Sequence, residues 1–177
     1  MFMISNKTFG VLSGLSFALL FALLFFAANA NAATESGRIN RYVVAVSANN
    51  GGKGRPVLRY AESDARAFAN VLSQMGGVSK QNVYRVTEPS VASLQSQLDA
   101  LDKKLQASKS AKGADANSRE EVLVYYSGHA DEKGLRLGEE IYSWKEFRKR
   151  VDALHADVKI AVIDACGSGA ITRAKGG

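Results

Sequence analysis

Apolar and polar positions fall along this chain in blocks of two periods. Tyr42 to Ala48 (YVVAVSA) is a short apolar, β-branched run that ends at Asn49-Asn50-Gly51-Gly52, which predicts a strand followed by a turn. Ala61, Ala65, Phe68, Leu72 and Met75 then recur at helical spacing until Gly76-Gly77 stops them. A second short strand is predicted over Val83 to Val86. Ser90, after Pro89, can cap a second helix whose apolar face is Val91, Leu94, Leu98, Leu101 and Leu105. Both helical stripes read as core packing rather than as cofactor or partner sites. Ser108 to Arg119 is polar, small and charged, the composition of a mobile surface loop. Val122 to Tyr126 is a continuous apolar run, as expected of a strand buried on both faces. Ser143 with Glu146 makes a capping box ahead of a third helix face, Trp144, Phe147, Val151 and Leu154. Val158 to Ile163 reads as a fourth buried strand.

The order is therefore strand, helix, strand, helix, strand, helix, strand. Such alternation implies an α/β fold, a mostly parallel sheet with helices on both sides. Gly51-Gly52-Lys53-Gly54 lacks the spacing of a phosphate-binding loop and reads as a plain flexible loop. No internal repeat is evident.

The stretch before these blocks has a different character. Lys7 supplies a positive start, Phe9 to Ala28 is almost free of polar residues, and Ala30-Asn31-Ala32 offers an A-x-A cleavage signal. That sequence of features predicts a secretory signal peptide over residues 1–32 and export to a periplasmic or extracellular space. A retained membrane anchor is the rival, because the apolar run is long for a signal. No cysteine follows it, which argues against a lipoprotein. A short segment, 33–40, then leads into a domain over 41–177.

Composition changes the picture little. Only Lys7 of the 23 Lys and Arg residues lies in the leader, so 22 remain against 17 Asp and Glu. The basic residues are scattered, which favours a solvated surface over a nucleic-acid or membrane partner. About 145 residues are enough for a core without disulfides. The single cysteine, Cys166, cannot form an internal bridge, so it is a small buried residue or a reactive thiol.

The candidate chemistry lies at two strand ends. The third strand runs into Ser127-Gly128-His129, and the fourth into Asp164-Ala165-Cys166-Gly167-Ser168-Gly169. Sites in open parallel sheets form at the carboxyl ends of strands. If the two strands are neighbours, His129 and Cys166 face each other at one edge. A thiolate is the nucleophile such chemistry needs, and an imidazole can take its proton and later protonate the leaving amine. For either residue alone the plain reading is a structural cysteine or a strand-end histidine. Finding both at strand tips, flanked by glycine, points to a catalytic pair.

Tyr125-Tyr126-Ser127-Gly128-His129 together with Asp164-Ala165-Cys166-Gly167-Ser168-Gly169 resembles the two catalytic segments of caspase-like peptidases and metacaspases. Arg41-Tyr42-Val43-Val44-Ala45-Val46 resembles that family's first strand, and Tyr60-Ala61-Glu62-Ser63-Asp64-Ala65 the start of its first helix. The resemblance runs from about Asn40 to the end. It implies a three-layer sandwich and a cysteine endopeptidase with Cys166 as nucleophile and His129 as general acid and base. It also implies oxyanion donors at the backbone N–H groups of Cys166 and Ala130, with Ala130 standing where the family usually has glycine. Asp164, Asp64 and Ser127 match the family's pocket for the residue before the cut, and two carboxylates there would favour Lys or Arg. Asp64 has a second reading, a first-turn acid that complements the helix dipole, and Asp164 another, a strand-end acid that orients a loop.

The family's domain continues past its nucleophile with further strands and a helix. This chain reaches Gly177, eleven residues after Cys166, so the domain is expected to be incomplete. The alternatives are a non-catalytic caspase-like binding or regulatory module, an inactive fragment, and an unrelated flavodoxin-like binding domain; His129 and Cys166 at strand ends argue against the last. The expected partner is a peptide or protein substrate. No cofactor is expected, and a calcium requirement is left open because no dense cluster of oxygen ligands such as an EF-hand loop occurs.

Overall fold

The computed structural model describes residues 37–111 and 118–165. The strands are β1 (Ile39–Ala48), β2 (Val78–Thr87), β3 (Arg119–Gly128), β4 (Gly134–Leu137), β5 (Glu140–Ser143) and β6 (Val158–Asp164). The helices are α1 (Ala61–Gln74), α2 (Val91–Ala111) and α3 (Trp144–Asp152). The main sheet has the order β2-β1-β3-β6, and every pairing in it is parallel. β4 and β5 form a separate antiparallel hairpin.

Side chains of the two central strands alternate between two cores, as the period of two requires. Tyr42, Val44, Val46, Val122, Val124 and Tyr126 face one side, where Leu94, Leu98, Leu101 and Leu105 of α2 and Trp144, Phe147 and Val151 of α3 cover them. Val43, Ala45 and Tyr125 face the other side, against Ala65, Ala69, Phe68 and Leu72 of α1. The result is the three-layer α/β sandwich that the alternation of elements implied.

Local chemistry explains the element ends. The Ser90 hydroxyl accepts from the Ser93 N–H at 3.1 Å and starts α2. Ser143 accepts from the Glu146 N–H at 3.2 Å and donates its own hydroxyl to Glu146 Oε2, starting α3. The side-chain oxygen of Asn49 accepts from the N–H of Ala61 at 3.0 Å, so the end of β1 caps α1. Gly77, at φ +69, turns the chain after α1.

Four expectations need correction. Ser108 to Ala111 is helical rather than loop, because the Ser108 hydroxyl donates to Glu120 Oε1 at 3.0 Å and Lys109 pairs with Asp157 at 2.9 Å; residues 112–117 of that stretch lie outside the described residues. β6 is not a buried strand. Among the described residues it is an edge strand, and Ile160 and Val162 are exposed on the face where α1 packs mainly over β1, β2 and β3. Met75 leaves the apolar stripe at 85% exposed, and Ala69 takes its place in the core. Finally, Gly51 and Gly52 are buried rather than a free loop, for a reason that belongs to the site.

Candidate active site

The register of the sheet brings the chemistry together. β3 pairs with β6 so that Ser127 stands beside Asp164. Paired residues of parallel neighbours point to the same face, and here it is the face that α1 covers. Asp64 sits in the first turn of α1 at that end of the sheet. All three residues line one cleft of about 440 Å³, together with Leu58, Arg59, Tyr60, Gly128 and Ala165. Ser127 is buried, whereas both carboxylates meet solvent. Asp64 is also an acid in the first turn of α1, the position its second reading requires.

Asp164 is not free to turn. The buried Tyr125, two residues before Ser127 on the same face, donates its hydroxyl to Asp164 Oδ2 at 3.0 Å. The Tyr125 ring stacks on Phe68 of α1 at 4.2 Å. Burial first, and then the Asp164 carboxylate, push the phenol up to about 12, so it is a donor at any physiological pH.

His129 follows Gly128 at the end of β3. Its Nε2 lies 2.8 Å from the carbonyl oxygen of Pro56. A carbonyl only accepts, so Nε2 carries a proton, and the tautomer this contact selects has its lone pair on Nδ1. The ring rests on Gly51, where an added Cβ would collide with its Cδ2 and Cγ. A Cβ on Gly52, at φ +87, would stand 2.6 Å from the carbonyl oxygen of Gly138. The paired glycines therefore let the β1–α1 loop pass beneath both the histidine and the hairpin. Tyr126 sets the other side of the segment, its hydroxyl lying 2.7 Å from the His129 carbonyl oxygen and 2.8 Å from that of Arg136.

Beyond His129 the chain enters the hairpin, which no apolar run in the sequence marks. Ala130 bridges Leu135 in antiparallel fashion, while the Arg136 N–H reaches the His129 carbonyl and the Asp131 N–H reaches that of Gly134. That pattern makes Ala130 a non-hydrogen-bonded pair, whose own N–H points out of the ladder. Asp131 anchors the turn. It accepts from the N–H of Lys133 at 2.9 Å, from Arg136 Nε at 2.6 Å and from Arg55 at 3.0 Å. Burial pushes its carboxyl up, but the Lys133 N–H and the Arg136 guanidinium outweigh that and hold it below the ordinary value. Arg55 precedes Pro56, so Asp131 ties down the segment that holds His129. Pro56 and Asp131 were not singled out from the sequence, and Gly51 only as part of the double glycine after β1, the one signal that marked this loop.

Cys166 lies outside the described residues, as do the leader 1–32 and its junction. The last residue described before Cys166 is Ala165, at the mouth of the cleft. Among the described residues no group of three or more His, Cys, Asp or Glu side chains is placed to hold a metal, and no helix is long and apolar enough to cross a membrane.

The sequence matches the profile of the caspase domain over residues 40–177. This chain belongs to the caspase-domain family. The match covers well over half of its length, and the four-stranded parallel sheet between helices agrees with a caspase-like fold. No curated protein matches the sequence. The caspase-domain family is one of cysteine peptidases, so a peptide or protein is the substrate class.

Proposed function

We infer that this caspase-domain protein is an endopeptidase that cuts after Lys or Arg, with Cys166 as nucleophile and His129 as its proton carrier. The observation that carries the reading is the convergence of Asp64, Ser127 and Asp164 in one cleft at the strand ends that lead to His129 and Cys166. The side chain of the residue before the cut enters the cleft, where a cation meets two carboxylates and the Ser127 hydroxyl. An acidic side chain meets like charge there instead.

The chemistry follows from the ring's held tautomer. Nδ1 of His129 takes the proton of the Cys166 thiol, and the thiolate adds to the scissile carbonyl carbon. The resulting oxyanion accepts from the backbone N–H groups of Ala130 and Cys166. Alanine at position 130 is compatible with that role, because the N–H that matters already points out of the hairpin ladder. The intermediate collapses, the C–N bond breaks, and His129 gives its proton to the leaving amine. Water, deprotonated by the same nitrogen, then releases the acyl group from the sulfur. Pro56 keeps Nε2–H occupied throughout, so one nitrogen does all the proton transfer.

Fluorogenic peptides that differ only in the residue before the cut test this in the full chain. The expected result is cleavage after Arg and Lys and none after Asp. It is lost in Cys166→Ala and His129→Ala, and its basic preference is weakened more in Asp164→Ala than in Asp64→Ala. Cleavage after Asp would overturn the pocket assignment and leave the Cys–His pair standing. The reaction takes place outside the cytoplasm after removal of residues 1–32, and N-terminal sequencing of exported protein is expected to begin at Ala33; retention of Met1 would favour a membrane anchor.

A further inference from the structure

Tyr125 lies beneath the cleft rather than in its lining, only 6% exposed. Its ring stacks on Phe68 with the planes 12° apart, and its hydroxyl donates to Asp164 Oδ2 at 3.0 Å. Phe68 stands one helical turn beyond Asp64 on α1. One aromatic pair therefore ties the helix that carries the first acid to the strand that carries the second. Packing alone needs only the ring. The hydroxyl does something a phenylalanine would not, since it directs its single proton onto a carboxylate at the cleft.

We propose that Tyr125 sets the choice between guanidinium and ammonium side chains by holding the Asp164 carboxylate at one rotation. The proposal rests on the reading of the cleft as a site for basic residues. The terminal torsion of an aspartate is broad, and Asp164 is exposed at a strand end, so without a partner its carboxylate turns freely. Donation from Tyr125 to Oδ2 removes that freedom and leaves Oδ1 and the remaining lone pairs for a ligand. Arginine presents a planar fork that reads two oxygens in a fixed plane, whereas the lysine ammonium is a compact charge that follows a carboxylate wherever it turns. A pinned carboxylate therefore favours arginine, and a loose one levels the two. Tyr125 touches no substrate in this scheme. It is a positioning residue that acts through Asp164.

The test uses binding, so that it does not depend on turnover. Nα-acetyl-arginine methylamide and Nα-acetyl-lysine methylamide are titrated calorimetrically into the full chain carrying Cys166→Ala, with and without Tyr125→Phe. Phenylalanine keeps the stack on Phe68 and removes only the hydroxyl. The expected outcome is arginine affinity weakened roughly tenfold, the scale of one hydrogen bond to a charged group, with lysine affinity changed by less than about twofold, as suits a point charge. The arginine-to-lysine ratio is the quantity that a merely structural role would not move. Equal weakening of both ligands, or no change in either, overturns the proposal while the basic-residue reading stands. A parent chain that binds neither ligand overturns that reading and the proposal with it.

Discussion

At the scale of single residues, His129 is held from three sides, and each contact has its own signature. Gly51 is the least replaceable of them. Gly51→Ala puts a methyl group into the imidazole, so the ring must leave the Pro56 carbonyl. Overpacking of this kind typically costs about 1–3 kcal/mol. The expected signature is a His129 ring released from its single tautomer, read by nitrogen NMR; with only two histidines in the chain the assignment is simple. An unchanged His129 spectrum would mean that the loop yields instead of the ring. Asp131 makes a pH prediction. Its carboxyl is held below the ordinary 3.8 when folded, so the folded state binds that proton less readily than the unfolded chain does. Its contribution is complete above the ordinary carboxylate value and is lost as pH falls through the lowered one. Asp131→Asn is therefore expected to lower stability at pH 7 and to flatten the acid side of the pH–stability curve. Urea midpoints measured across that range check it, and two parallel curves would remove Asp131 as a contributor.

At the scale of elements, α2 gives the simplest expectation. Leu98 is fully buried against the sheet, and Leu98→Ala is expected to cost about 2–5 kcal/mol in denaturant unfolding; a loss under 1 kcal/mol would show that the site collapses around the gap. The stripes of α1, α2 and α3 were legible because each buries one face, which is what helical spacing encodes. The hairpin was not. Arg136, Glu139 and Glu140 interrupt its short apolar runs, and the turn rests on Gly138 at φ +60. β2 was legible only over its second half, because Ser79, Lys80 and Gln81 lie on an edge strand and are exposed. The cleft acids were legible by position in the chain. The roles of Tyr125, Pro56 and Gly51 were not, although Tyr125 and Gly51 fall in segments the sequence marked, because a packed ring, a carbonyl and a missing side chain leave no chemical mark of their partners in a sequence.

At the scale of the whole molecule, the central and edge strands of the sheet are covered unequally among the described residues. Val124 in β3 and Ile160 in β6 look alike as letters in apolar runs, yet one is sealed between layers and the other is 44% exposed. Ile160→Thr is expected to change stability by no more than about 0.5 kcal/mol. Val124→Thr, which buries a hydroxyl without an assured partner, is expected to cost about 1–3 kcal/mol. Thermal unfolding of the two variants side by side measures the difference, and a costly Ile160→Thr would mean that β6 is covered in solution.

The pairing of β1 with β3 carries a consequence in time. Asn40 meets Glu120 and Arg41 meets Glu121 at a sequence separation of 80, so the centre of the sheet closes only after α1, β2 and α2 have been threaded between. Closing so long a loop costs entropy before any contact offsets it. β1, α1 and β2 can form a right-handed unit by themselves, and β3 must then add to the open side of β1. Refolding is therefore expected on the slow side for a chain of this size, in milliseconds to seconds by the trend of such topologies. Arg41→Ala, which removes the 2.8 Å pair with Glu121, is expected to speed unfolding more than it slows folding, because that contact forms late. Stopped-flow measurement of both limbs separates the two, and a slowed folding limb would place the β1–β3 seam in the nucleus instead.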